Sequence, residues 1–241
     1  MASSSEVGHA KNIANLNLLN TNIQALGAIY VPSNPKLLLT NLQSMYTNGF
    51  NEQKNVNISL APYSVAVDDR EVIFKPLNRD LTKLRRAYKA TAGVTQVQLE
   101  DFMTIVRKLK GVRKTPIKES TNPDEAEVNY SASQLSYDQR TNNMDLLISL
   151  LQNTANFNPN ETEYKVATYQ DKKDKMLSRT QAVARTYVPL NNARSIRNTR
   201  FYNGSDNMVD LANAAKDYIF TILDTSSAQY KAIARIKFKG R

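Results

Sequence analysis

The first apolar pattern in the chain is helical. In "NIANLNLLNTNIQALGAIY", Ile13, Leu16, Leu19, Ile23, Leu26 and Tyr30 recur at spacings of three and four, on one face of a helix. "VPSNP" then marks a turn. Asn34 followed by Pro35 predicts a new helix start: the Asn side chain accepts from an open amide, and proline lacks the N–H that would go unpaired there. The long segment beyond it, 35–75, carries Pro62. A proline removes a backbone bond and clashes with the preceding turn, so this segment is expected to break before Pro62 into two antiparallel arms. A helix over 79–91 follows, and Thr95 with Gln98 forms a capping box for a last helix closing at Gly111.

The same pattern returns 127 residues later. That offset pairs Pro32 with Pro159, Asn15 with Asn142, Leu19 with Leu146 and Val56 with Val183. It also pairs Pro62 with Pro189, Ala66 with Ala193, Arg70 with Arg197 and Phe74 with Phe201. Leu84, Ala87 and Lys89 pair with Leu211, Ala214 and Lys216, and after a two-residue slip "KLKG" at 108–111 meets "KFKG" at 237–240. Identities in this order predict an internal duplication. In the second copy Asn160 and Glu163 supply the capping box, Ser205 caps a helix over 206–223, and the last helix spans 226–238. Between the copies, "RKTPIKESTNPDEAEVNYSAS" is polar, proline-bearing and without apolar period, as an exposed flexible linker would be. The expected architecture is all-α, two tandem antiparallel helical bundles at 8–111 and 134–241 joined by a linker at 112–133.

Composition changes this picture little. Seven glycines in 241 residues argue against a turn-rich β fold. No apolar run approaches the roughly 20 residues a membrane helix needs, and "MASSSEVG" has neither the basic nor the apolar region of a secretory signal. Without cysteine there is no disulfide, thiol nucleophile or thiolate metal site. A cytoplasmic location is expected. No membrane insertion and no small-molecule substrate are indicated.

Charge matters more. Lysine and arginine outnumber the acids 32 to 22, a net +10 that attracts polyanions. The basic positions cluster: Lys83, Arg86 and Lys89 in "KLRRAYK", Arg107, Lys108 and Lys110 in "VRKLKG", Arg194, Arg197 and Arg200 spaced by three, and the closing "KAIARIKFKGR". They read as a surface for phosphates or an acidic partner. At "KLKG" and "KFKG" the simpler account is cations stabilising helix C-termini. Arg70 and Arg197, present in both copies, are expected to pair with an acid on a neighbouring helix.

Catalytic patterns are missing. Glu6 and His9 form one Glu-x-x-His, half of a two-metal bundle site, but the chain has a single histidine. At the 127 offset His9 falls on Ser136 and Glu6 on Ser133, so the second copy lacks the pair, and His9 is expected on a solvated first turn. There is no G-x-S-x-G elbow, Walker A loop or G-x-G-x-x-G turn. No metal, cofactor or enzymatic role is expected.

"SSEVGHAKNIANLN", with "YVPSNPK", "DDREVIFKPL", "VRKLKG", "SASQLSYDQR", "NETEYKVATY" and "NARSIRN", resembles a family of bacterial proteins built from two similar helical halves, without an assigned activity. The resemblance implies a fold and no mechanism. If the opening segment is a signature of that family, His9 is implied to serve packing or assembly. The functional expectation is a non-enzymatic scaffold that assembles with itself or with another protein. Its rival is a sequence-independent nucleic-acid binder.

Overall fold

The computed structural model describes residues 4–110 and 136–240, and among them all regular structure is helical. The order is α1 (Ser4–Leu26), 3-10 turns (Gly27–Ile29 and Pro35–Leu37), α2 (Leu39–Phe74), α3 (Leu77–Lys89) and α4 (Gln96–Lys110). Then come α5 (Tyr137–Gln152), a further 3-10 turn (Thr162–Tyr164), α6 (Val166–Tyr202), α7 (Met208–Ile222) and α8 (Ala228–Ala234). The expected linker at 112–133, Gly111 and the side chain of Glu6 lie outside the described residues.

Local chemistry accounts for most starts. Thr95 and Gln98 make the capping box, with amide-to-side-chain bonds of 2.9 and 3.3 Å. Ser136 caps α5 and Ser227 caps α8 through their hydroxyls. Asn34 accepts from the Lys36 amide at 3.0 Å, though the element it opens is a 3-10 turn rather than the long helix. Two expected caps are corrected. The turn at Thr162–Tyr164 begins after Glu161 without a side-chain cap, and α7 is capped by Asn207, not Ser205. Asn207 wins because its carbonyl oxygen reaches the Asp210 amide at 3.0 Å while its amide donates to the Gly204 carbonyl.

The expected breaks at Pro62 and Pro189 do not occur: each proline lies inside a continuous helix, α2 of 36 residues and α6 of 37. Both prolines are exposed, so water can take the carbonyls of Ile58 and Arg185 left without a donor. Buried Val56 and Ala66 flank Pro62, and buried Val183 and Leu190 flank Pro189. Packing on both sides holds the helix through a defect that costs about 3 kcal/mol in isolation.

Contacts divide the chain into two compact units. One unit comprises 1–63 and 186–241, and the other 64–185. The first holds α1, the start of α2, the end of α6, α7 and α8. The second holds the rest of α2, α3, α4, α5 and the start of α6. In the first unit Glu52 meets Arg200, Gln53 meets Arg197 and Tyr63 meets Tyr187, so α2 and α6 run antiparallel there. Its core gathers Leu16, Leu19, Ile23, Phe201, Leu211 and Ile219, among others. The second core gathers Phe74, Leu81, Leu84, Tyr88, Phe102 and Leu147, among others.

Burial revises the register of the sequence pairs. Leu19 is fully buried but Leu146 is 46% exposed, whereas Asn15 and Asn143 are both buried. If α1 answers to α5, their burial patterns match at an offset of 128, which would place Tyr137, not Ser136, opposite His9. At the other end no slip is needed: Val106 and Ile233, and Leu109 and Ile236, are buried at the plain offset of 127. That register sets Lys108 and Lys110 against Arg235 and Lys237. Pro32 is buried and Pro159 half-buried.

Candidate polyanion interface

The last helix ends sooner than its sequence suggests. α8 stops at Ala234, and residues 236–240 leave it without regular structure. What holds them is α1. The Asn12 amide donates to the Lys239 carbonyl at 2.9 Å and its oxygen accepts from the Lys239 amide at 3.0 Å. The Asn15 amide donates to the Lys237 carbonyl at 2.7 Å, and Lys216 donates to the carbonyl of Ile236. Three side chains thus satisfy backbone groups that a helix would have paired internally. Ile236 and Phe238 pack on the core, while Lys237 and Lys239 face solvent.

This arrangement brings Lys11 of α1 beside Arg235, Lys237 and Lys239 around an open cleft of about 380 Å³, floored by Leu18 and Ile236. None of the four cations makes an ion pair among the described residues. Lys216 adds to the field: burial lowers its pKa, Lys237 lowers it further, and Asp217 opposes the shift. The C-terminal helix dipole accounts for neither Lys237 nor Lys239, because both lie beyond the helix.

The second unit carries the other basic group. Lys83, Arg86 and Lys89 are exposed on α3, and Lys108 is exposed on the last turn of α4 beside half-buried Arg107 and Lys110. The Arg107 guanidinium donates to the Met103 carbonyl and the Thr104 hydroxyl, so part of its capacity is used within α4. Lys110 donates to the Thr82 hydroxyl at 2.6 Å, and its pKa is lowered by burial first and by Arg85 second. Lys110 and Arg85 are like charges close enough to oppose each other, whereas Lys83 shares an open cleft with Asp80 and Glu163.

Several other cations are committed to packing or ion pairs. Arg200 pairs with Glu52 at 2.5 Å. Arg197 is only 3% exposed and donates to Gln53 and Asn198. Arg194 is half-buried on the same helix. Arg70 does not find the expected acid: its guanidinium lies 3.8 Å from the centre of the Tyr137 ring. Lys172, Lys173, Lys175 and Arg179 are each bound to an aspartate.

His9 is also corrected. It is 2% exposed, not solvated: its Nδ1 is 2.7 Å from the Tyr202 hydroxyl, and its ring meets Phe201 edge-on at 5.6 Å. Tyr137 meets Phe74 in the same way at 4.8 Å in the other unit. Among the described residues no group of acids and histidine could hold a metal ion, and no helix is long and apolar enough to cross a membrane.

Sequence reasoning missed Lys11 and Lys216 as neighbours of the tail. The signal available was the asparagine content of α1, where Asn12 and Asn15 interrupt an otherwise apolar face. No protein-family model matches the chain, and no curated protein or solved structure is significantly similar to it.

Proposed function

We propose that the protein is a non-enzymatic binding module for a nucleic-acid strand, held through its phosphates without reading sequence. The observation that supports this most is the set of cations around the α1–tail cleft, where Lys11, Arg235, Lys237 and Lys239 converge without an ion pair among the described residues. Crowding cations costs Coulomb energy, and a bound polyanion relieves it while releasing counterions. Lys108 and Lys110 occupy the corresponding register in the second unit, which gives the chain two basic surfaces.

A duplicated helical architecture fits this role. Adding 127 carries the turn at 35–37 onto that at 162–164, and α2 at 39–74 onto 166–201, within α6. We take the chain to be two copies of one helical unit with their ends exchanged between the compact bodies. Two similar surfaces on one chain raise avidity for a long strand.

Fluorescence anisotropy on labelled single-stranded and duplex oligonucleotides tests the reading. Binding should be insensitive to sequence, and log affinity should fall against log salt by about 0.7 per phosphate engaged on a single strand. Absence of binding at low salt would reject it.

A second reading, self-assembly, draws on α2. Ile58, Val65 and Val72 follow at seven-residue intervals and are 60, 61 and 67% exposed. Light scattering on a sizing column in high salt separates the two: a stable multimer free of nucleic acid favours assembly.

A further inference from the structure

We infer that the cleft between α1 and the segment 236–240 is a phosphate-binding site that exists only while that segment is docked, with Asn12 and Asn15 as its positioning residues. The inference rests on the nucleic-acid reading for its source of phosphate, but its chemistry is that of a phosphate group from either a phosphodiester strand or a free polyphosphate.

One of the cations comes from far away in the chain. Lys11 sits on α1, whereas Arg235 closes α8 immediately before Lys237 and Lys239 of the segment that α1 holds. Only docking brings Lys11 to the other three. Two of the three side chains that dock the segment carry no charge: Asn12 clasps both backbone groups of Lys239 and Asn15 takes the carbonyl of Lys237, while the Lys216 ammonium donates to the carbonyl of Ile236. Alternation along the segment then turns Ile236 and Phe238 to the core and Lys237 and Lys239 to solvent. An anion in the cleft binds the docked state better than the undocked one, so by linkage it must also stabilise docking. The neutral asparagines therefore set anion affinity without touching the anion. The cleft of about 380 Å³ has room for a phosphate and an adjoining sugar or base over Leu18 and Ile236.

The test uses the full chain with two probes, a short oligothymidylate and inorganic tripolyphosphate, and two readouts: affinity, and amide hydrogen exchange of 236–239. If the four cations each meet a phosphate of the strand, the log–log salt slope contributed by the cleft is about −2.8, a loss of about 50-fold for a fourfold rise in salt. Lys237→Gln with Lys239→Gln should halve that slope. Asn12→Ala with Asn15→Ala, which removes no charge, should weaken binding by about fivefold or more and speed exchange of the segment. Each probe should slow exchange at 236–239 in the unaltered protein. Should the asparagine variant unfold, the exposed lysine pair still decides the matter.

If oligothymidylate binds but neither the lysine variant nor the probe changes anything at the segment, the site is overturned while the nucleic-acid reading stands on α3 and α4. If tripolyphosphate protects the segment and oligothymidylate does not bind, the site stands and the nucleic-acid reading falls. If neither probe binds, both fall.

Discussion

The Nδ1 atom of His9 lies 2.7 Å from the hydroxyl of Tyr202, and both rings pack beside Phe201. This ties the first turns of α1 to the last turn of α6. Glu-x-x-His is not needed to explain the histidine: it fills the place that Tyr137 fills against Phe74. His9→Ala should destabilise the protein by about 2 kcal/mol or more through cavity and lost bond together. Tyr202→Phe should cost about 1 kcal/mol. Urea unfolding monitored by circular dichroism measures both, and an unchanged midpoint for His9→Ala would remove its packing role.

Met208 occupies the space beside Gly49 on α2: a Cβ there would come 2.3 Å from the Met208 methyl carbon and 3.3 Å from the Phe201 ring. The thioether end can swing, so Gly49→Ala should be tolerated to within about 1 kcal/mol, helped by the higher helix propensity of alanine. Gly49→Leu should cost about 1–3 kcal/mol by overpacking. Combining it with Met208→Ala should recover part of that loss, and a double-mutant cycle reads the coupling.

Pro62 and Pro189 interrupt the hydrogen bonding of helices that persist regardless. Pro62→Ala restores an amide donor to an exposed helical site and should stabilise the protein by up to about 3 kcal/mol. Thermal unfolding provides the check. A lowered midpoint would mean that the packing on either side requires the proline.

The Tyr30 hydroxyl donates to the Leu37 carbonyl at 2.7 Å, and burial, with Tyr218 the smaller cause, pushes its pKa up to about 12. The unfolded chain releases this proton near the ordinary value of 10, whereas the native state holds it to about 12. Between those limits the unfolded state binds fewer protons, so this contribution is complete below pH 10 and is lost as pH rises through about 12. Tyr30→Phe should flatten the fall in stability across that range. Ultraviolet titration of the phenolate band should show one fewer late-ionising tyrosine in the variant.

The all-α class, the face of α1, the capping box at Thr95 and Gln98, and the recurrence of one pattern are legible along the chain because they are local. Helical period and capping depend on residues within four positions of each other. Proline is also a local signal, and by itself it pointed to breaks at Pro62 and Pro189; burial on both flanks overrides it.

What only tertiary structure decided is long-range. The division into compact units 1–63 with 186–241 and 64–185 depends on which apolar faces meet, and periodicity marks a face without naming its partner. The same holds for Asn12, Asn15 and the closing residues 236–239, more than 200 positions apart in sequence. An asparagine on an apolar face states a cost in the sequence, and its compensation is visible only where the backbone it binds arrives. The candidate site follows from that meeting: α1 binds the non-helical segment 236–239, and cations from two distant stretches, α1 and 235–239, come to one cleft.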